Sequence, residues 1–325
     1  MRKRSSRVLV VLLSLGLAAC QALPSRQSAV TPSSVPAELA GEYDNHAERW
    51  SASEGGRAPP VATSTPAIHH WLSHPGGDAG MLLWRTVLPD TSPVKEGRWL
   101  LLRNERNGYV PYRPLTAEAE AVFQAKNAGR IAVDDKNWAP LQACTLKPAA
   151  SRNGLAFAAD PTACSALLPG IGAAGALLPL RFELINDRLR VVTVADQARG
   201  VDAATLSQRV RWFTGWDALN GGGAKASPEN NDWHLNRDLR LHTEGGRVPL
   251  RFRDGAASGY TLELARLTYR ESGTEVLRLG IVEDATGKTI SYVWADPQAR
   301  RIGLNLGWIQ VGLEEEGLSK DPRSR

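Results

Sequence analysis

The sequence predicts a mainly β protein with a few short helices and an antiparallel β-meander at its C-terminal end. Three observations carry this prediction: apolar runs of strand length, clusters of Gly, Pro, Asn and Asp between them, and ten tryptophans spread along the whole chain.

The first residues read as an export signal. MRKRSSR carries Arg2, Lys3, Arg4 and Arg7 without an acid, and VLVVLLSLGLA is apolar but short for a membrane span. Leu17-Ala18-Ala19-Cys20 then resembles the lipobox of bacterial lipoproteins. The resemblance implies cleavage after residue 19 and a lipid on Cys20. Because Gln21 rather than Asp follows, it also implies anchoring at the outer membrane, on its periplasmic face. The charge balance shifts with the leader. The whole chain has 39 Lys and Arg against 34 Asp and Glu, and losing those four cations leaves 35 against 34, which removes any case for nucleic acid as a partner.

Residues 20–35 are rich in Ser, Pro and small side chains and read as a tether from the lipid to the folded part. In PAELAGEYDNHAERW, Leu39, Tyr43, Ala47 and Trp50 recur at helical spacing behind Pro36, which predicts one short amphipathic helix. Strands follow at MLLWRTVL, GRWLLLRNE, GLAFAA, LPLRFELI and RLRVVTVA. Helices are expected at TAEAEAVFQAKN, where Leu115, Ala119, Val122 and Phe123 share a face, and at VDAATLSQRV, capped by Asp202. DLRLH, RVPLRF, GYTLELARLTYR, EVLRLGIVE, TISYVWAD and RIGLNLGWIQVGL make the meander. In the last, the apolar positions change parity, which predicts a bulge or kink near Gly307. The glycine-rich, polar stretch 220–232 is the best internal boundary, dividing a β-barrel region at 36–219 from a β region at 233–314, with a charged tail at 315–325.

Cys144 and Cys164 flank a stretch without histidine, so a structural zinc site needs ligands from distant segments. In the oxidising compartment that the leader implies, a disulfide is the leading reading, with buried thiols, a metal or a nucleophile behind it. His69, His70 and His74 in HHWLSH invite a metal, but the reading preferred here is a polar surface loop. EDATGKT lacks the first glycine of a phosphate-binding loop and reads as a hairpin turn, and no Gly-x-Ser-x-Gly elbow occurs.

Three blocks, LAGEYDNHAERW, VPYRPL and PLQACTLKPAASRNGLAFAADPTAC, occur in an order that resembles the CpcT/CpeT-type phycobiliprotein chromophore lyases. The matching residues are Gly41, Tyr43 and Asn45, then Pro111, Tyr112 and Arg113, then Cys144 with Cys164, over roughly residues 37–200. The resemblance implies a calycin-like or lipocalin-like antiparallel β-barrel and a bilin or other tetrapyrrole as ligand. The ligand-binding candidates are Tyr43, Asn45, His46, Arg49, Tyr112 and Arg113. His46 and Arg49 join them because a helical wheel sets His46 on the Tyr43 and Trp50 side with Arg49 at its edge. Arg113 suits a ligand carboxylate because guanidinium binds carboxylates bidentately, against a surface salt bridge as the other reading. The expected function is therefore an outer-membrane lipoprotein binding a small hydrophobic or tetrapyrrole-like ligand. An active bilin lyase acting on a protein cysteine is the alternative, and a structural or assembly lipoprotein the third.

Overall fold

The computed structural model describes residues 36–53, 67–77, 80–88, 94–104, 108–125, 129–198, 205–227, 229, 231–269 and 272–317. The leader, Cys20, the tether, Asp202 and the end of the charged tail lie outside these residues.

The first region is one antiparallel sheet. Its strands are β1 (Gly41–Asp44), β2 (His69–Ser73), β3 (Met81–Val87), β4 (Glu96–Asn104), β5 (Gly108–Pro114), β6 (Trp138–Pro140), β7 (Lys147–Pro148), β8 (Leu155–Ala158), β9 (Pro179–Ile185), β10 (Arg188–Thr193) and β11 (Thr205–Arg209). Four short helices accompany them: α1 (His46–Ser53), α2 (Ala117–Ala121), α3 (Pro161–Ser165) and α4 (Val194–Ala198). The strand order is β6-β5-β4-β3-β2-β1-β11-β10-β9-β8-β7. The chain thus steps outward along one arm from β1, crosses over, and steps back along the other until β11 meets β1. The sheet curls into a half-barrel. One antiparallel bridge, between Tyr109 of β5 and Leu146 just before β7, ties the two arms through a pair of 2.8 Å backbone bonds.

Strand alternation explains why MLLW and WLLL read as continuous apolar runs. Leu82, Trp84, Trp99 and Leu101 belong to one buried cluster with Tyr109, Phe157 and Phe182. Leu83 and Leu100, of opposite parity, pack in another with Trp138 and with Ala119 of α2. Both faces of these strands are therefore buried, and a strand buried on both faces loses its polar alternation. Thr116 caps α2 by accepting from Ala119 N at 3.2 Å. Asp160 caps α3 by accepting from Thr162 N and Ala163 N, with Pro161 in the first turn. Cys144 and Cys164, both fully buried, form a disulfide.

The second region has two four-stranded antiparallel sheets. The strands are β12 (Trp212–Asn220), β13 (Trp233–His242), β14 (Glu244–Arg251), β15 (Ala257–Thr268), β16 (Glu275–Glu283), β17 (Thr289–Ala295), β18 (Arg301–Asn305) and β19 (Ile309–Glu315). The sheet orders are β13-β12-β19-β18 and β14-β15-β16-β17. A shared apolar core joins Phe213, Leu239 and Val311 of one sheet to Leu262, Leu277 and Ile281 of the other, as in a sandwich. Thr243 alone separates β13 from β14. Its N–H donates to Arg211 O and its O accepts from Arg266 N, so the chain passes from one sheet to the other at this residue.

The helix predicted from Pro36 to Trp50 is interrupted by β1, because Gly41–Asp44 pairs with both β2 and β11, and only α1 is helical. TLSQR, predicted as the body of a third helix, is β11, held between β1 and β10. Pairing on both sides outweighs local helical spacing in each case. HHWLS is not a surface loop but β2, with His70 and Leu72 buried. The parity change at Gly307 is a hairpin rather than a bulge, since β18 and β19 pair with each other and Gly307 takes φ 81° in the turn between them. β12, placed by the sequence with the first region, hydrogen-bonds to β13 and β19 in the second. Glu315, assigned to the tail, lies in β19.

Candidate functional site

Arg113 lies near the end of β5, where strand parity sets it on the same side of the sheet as Pro111 and Tyr109. It lines a cleft of about 380 Å³ at the sheet rim with Glu96, Arg98, Trp99, Pro114, Glu120 and Ile171. The neighbouring charges are already committed. Arg98 pairs with Glu96 at 2.6 Å and with Glu120 of α2, and Arg85 also pairs with Glu96. Burial alone would lift the Glu96 carboxyl, but hydrogen bonds from Arg98 and Arg85 outweigh it and hold the group below the usual carboxylate range. Arg113 itself has no ion-pair or hydrogen-bond partner among the described residues. The buried Trp99 Nε1 has no acceptor either. Arg98 Nε is likewise buried without an acceptor, and the one cleft cation without an ion-pair partner among the described residues is Arg113. Tyr112, with the opposite parity, packs outward against the Leu83, Leu100 and Trp138 cluster.

The other predicted site residues gather elsewhere, since β2, β3 and β4 separate β1 from β5 in the sheet. Tyr43 is fully buried, donates to Leu39 O at 3.2 Å, and lies under the Arg209 guanidinium. Burial pushes its phenol up to about 12. Gly41 beside it takes φ 154°, a backbone conformation that residues with a side chain rarely adopt. Asn45 is buried, and its Oδ1 accepts from Ile68 N at 2.9 Å, which pins the start of β2. His46 begins α1 and donates its backbone N–H to Asp44 Oδ1 at 2.7 Å. Arg49 is exposed one turn later, its N–H bonding Asn45 O.

His46 belongs to a larger polar cluster where the half-barrel meets the sandwich, which the sequence did not single out. His69 Nδ1 meets Asp44 Oδ2 at 2.9 Å, and its Nε2 faces Glu42 Oε2 at 3.5 Å, an ion-pair rather than a hydrogen-bond distance. Trp212 Nε1 donates to Glu42 at 3.3 Å, and the His242 ring packs edge-on to Trp212. Burial opposes charge on His69, but Asp44 and Glu42 win and raise its pKa. Burial pushes His46 and His242 down instead. Gly245, at φ 75°, lets β14 approach the His46 ring, since a Cβ would come within 2.7 Å of it. Beneath lies the Glu244–Arg266 pair at 3.0 Å, both side chains buried, with burial lifting Glu244 to about 8 against the pull of Arg266. Among the described residues, no group of three or more His, Cys, Asp or Glu is arranged to hold a metal ion. One signal for this cluster was present in the sequence: as a strand, HHWLS must send His69 and His70 to opposite faces.

His70 is the neutral counterpart of His69. Trp84 Nε1 donates to its Nδ1 at 3.3 Å, Thr86 Oγ1 lies 2.9 Å from the same atom, and complete burial pushes its pKa down to about 3. A histidine held down in the fold contributes stability that is full above its unfolded pKa and is lost as pH falls. Between pH 6.5 and 5 the native protein is expected to lose about 2 kcal/mol of its advantage over His70→Gln. Glu244, held up, acts in the opposite direction over this window, but it is common to both proteins and cancels in the difference. Urea unfolding of both proteins at the two pH values measures this, and parallel pH profiles would exclude it.

No protein-family model, no curated protein and no solved structure matches this chain.

Proposed function

We propose that this chain is a lipid-anchored carrier on the periplasmic face of the outer membrane. It binds a hydrophobic, tetrapyrrole-like ligand at the rim of a calycin-like barrel. The carrying observation is Arg113, a guanidinium without a partner among the described residues in a cleft whose other charged side chains are ion-paired. A propionate of a tetrapyrrole supplies the carboxylate that such a group lacks, in bidentate geometry. The rim is a better place than the interior, because Trp84, Tyr109, Phe157 and Phe182 already fill the inner face. The closing bridge at Tyr109 supports the barrel reading, and the Leu17–Cys20 lipobox supports the anchor.

Titration of the purified protein with biliverdin and with haem, read by absorbance and tryptophan quenching, tests this reading. Saturable binding without covalent transfer is the expected result. Transfer to an acceptor cysteine would make the protein a lyase instead, and no response to either ligand would refute tetrapyrrole binding.

A further inference from the structure

The outer face of the β13-β12-β19-β18 sheet carries a trough of about 760 Å³, lined by Trp216, Gly303, Gly312, Thr214, Arg237 and Glu314 among others. Three features of the local chain build it. The first is a row without side chains. Trp216 pairs across to Gly312, and Gly312 to Gly303, so two adjacent strands present bare backbone next to one indole. Glycine inside a strand weakens it and marks places where something approaches the backbone closely. Here part of that approach is made by Trp216 itself, because a Cβ on Gly312 would meet its Nε1, Cε2 and Cζ2 at 2.8 to 3.1 Å. The indole thus rests against the glycine and still leaves 38 % of the residue exposed.

The second feature is a β-bulge. The β12–β13 register shifts between Gly215 and Asp217, which pair with Leu239 and Asn236, so Arg237 and Asp238 both stand opposite Trp216. Bulges redirect side chains, and this one accompanies Arg237 into the trough lining. The third feature is the charge balance. Each carboxylate at the rim has its own arginine: Glu314 with Arg301 at 2.7 Å, Glu315 with Arg300 at 3.3 Å, and Glu316 with Arg240 at 2.6 Å. Arg237 has no partner among the described residues, so the trough keeps one spare positive charge.

A flat floor, an exposed indole, a rim of hydrogen-bonding groups and one spare cation suit a ring that is apolar on its face, hydroxylated at its edge and negatively charged. We propose that this trough binds an acidic saccharide, with a pyranose ring against Trp216 and its carboxylate on Arg237. An apolar ligand would leave the polar rim unused, and a simple anion would leave the indole and the glycine row unused. This site is separate from the Arg113 cleft and stands or falls without it.

The test is calorimetric titration of the full chain with trigalacturonic acid and with neutral tri-N-acetylglucosamine, repeated on Trp216→Ala, Arg237→Ala and, as a remote control, Trp294→Ala. Thermal melting confirms that each variant is folded. The acidic trimer is expected to bind more tightly than the neutral one, and Trp216→Ala to weaken it roughly tenfold. Arg237→Ala is expected to weaken the acidic trimer by about tenfold and to remove the preference over the neutral one. Trp294→Ala, exposed on β17, should bind as the native protein does. Absence of binding by the acidic trimer, equal binding of both trimers, or native affinity in folded Trp216→Ala would each overturn the proposal.

Discussion

Above pH 8, where Glu244 is ionised, replacing Arg266 with methionine is expected to cost about 3–5 kcal/mol, the range for breaking a buried ion pair by removing one partner. Arg266 holds Glu244 through Nη2 at 3.0 Å and Nε at 3.2 Å, with side-chain exposures of 4 % and 0 % for the two residues. Its Nη2 also donates to Arg209 O at 2.6 Å, at the end of β11, where the chain leaves the half-barrel for the sandwich. Above pH 8 the variant's buried Glu244 carboxylate, left without its counter-charge, must bind a proton or draw in water. The double replacement Glu244→Met with Arg266→Met should recover most of the loss, because a buried pair gains little over apolar side chains of similar size. Urea unfolding of the single and double variants measures both effects. A single variant as stable as the native chain would show that the junction does not depend on this pair.

Removing the disulfide comes next in size. Cys144 lies in a single 3-10 turn between β6 and β7, and Cys164 ends up in α3 after β8, so their bond clips the crossover between the two arms of the curled sheet. The two positions are 20 apart, and a closed loop of that size is worth about 3 kcal/mol in the chain-entropy model. Cys144→Ser with Cys164→Ser is therefore expected to lower the unfolding free energy by about that amount. Both sulfurs sit within the main apolar cluster, so the new hydroxyls add a burial cost to the lost constraint. Peptide mapping with and without reduction checks the bond itself, and a free thiol at either position would remove the premise.

What the sequence disclosed follows from which pattern local residues impose. The long runs of β3, β4, β9, β15 and β16 were legible because burial on one or both faces leaves a strand-length apolar signature. β1 and β11 were not, because Gly41–Asp44 and Thr205–Arg209 are short, carry charge, and become strands by pairing with neighbours distant in sequence. The disulfide was legible from the compartment that the leader implied, whereas the polar junction was not. Glu42, Asp44, His69, Trp212, His242, Glu244 and Arg266 come from segments far apart in the chain, and only the fold brings them together. Of the residues drawn from the resemblance, Tyr43 and Asn45 turned out to bond their own backbone surroundings, while Arg113 kept a free guanidinium. The difference is positional: β1 is paired on both sides in mid-sheet, and Arg113 stands at a rim.

The claim that Arg113 meets a ligand carboxylate is tested most directly by comparing biliverdin affinity between the native protein and Arg113→Ala. A charge-assisted, bidentate contact predicts at least about a tenfold loss in the variant, with the fold unchanged because the Arg113 side chain makes no bond among the described residues. Equal affinity in the two proteins would contradict it.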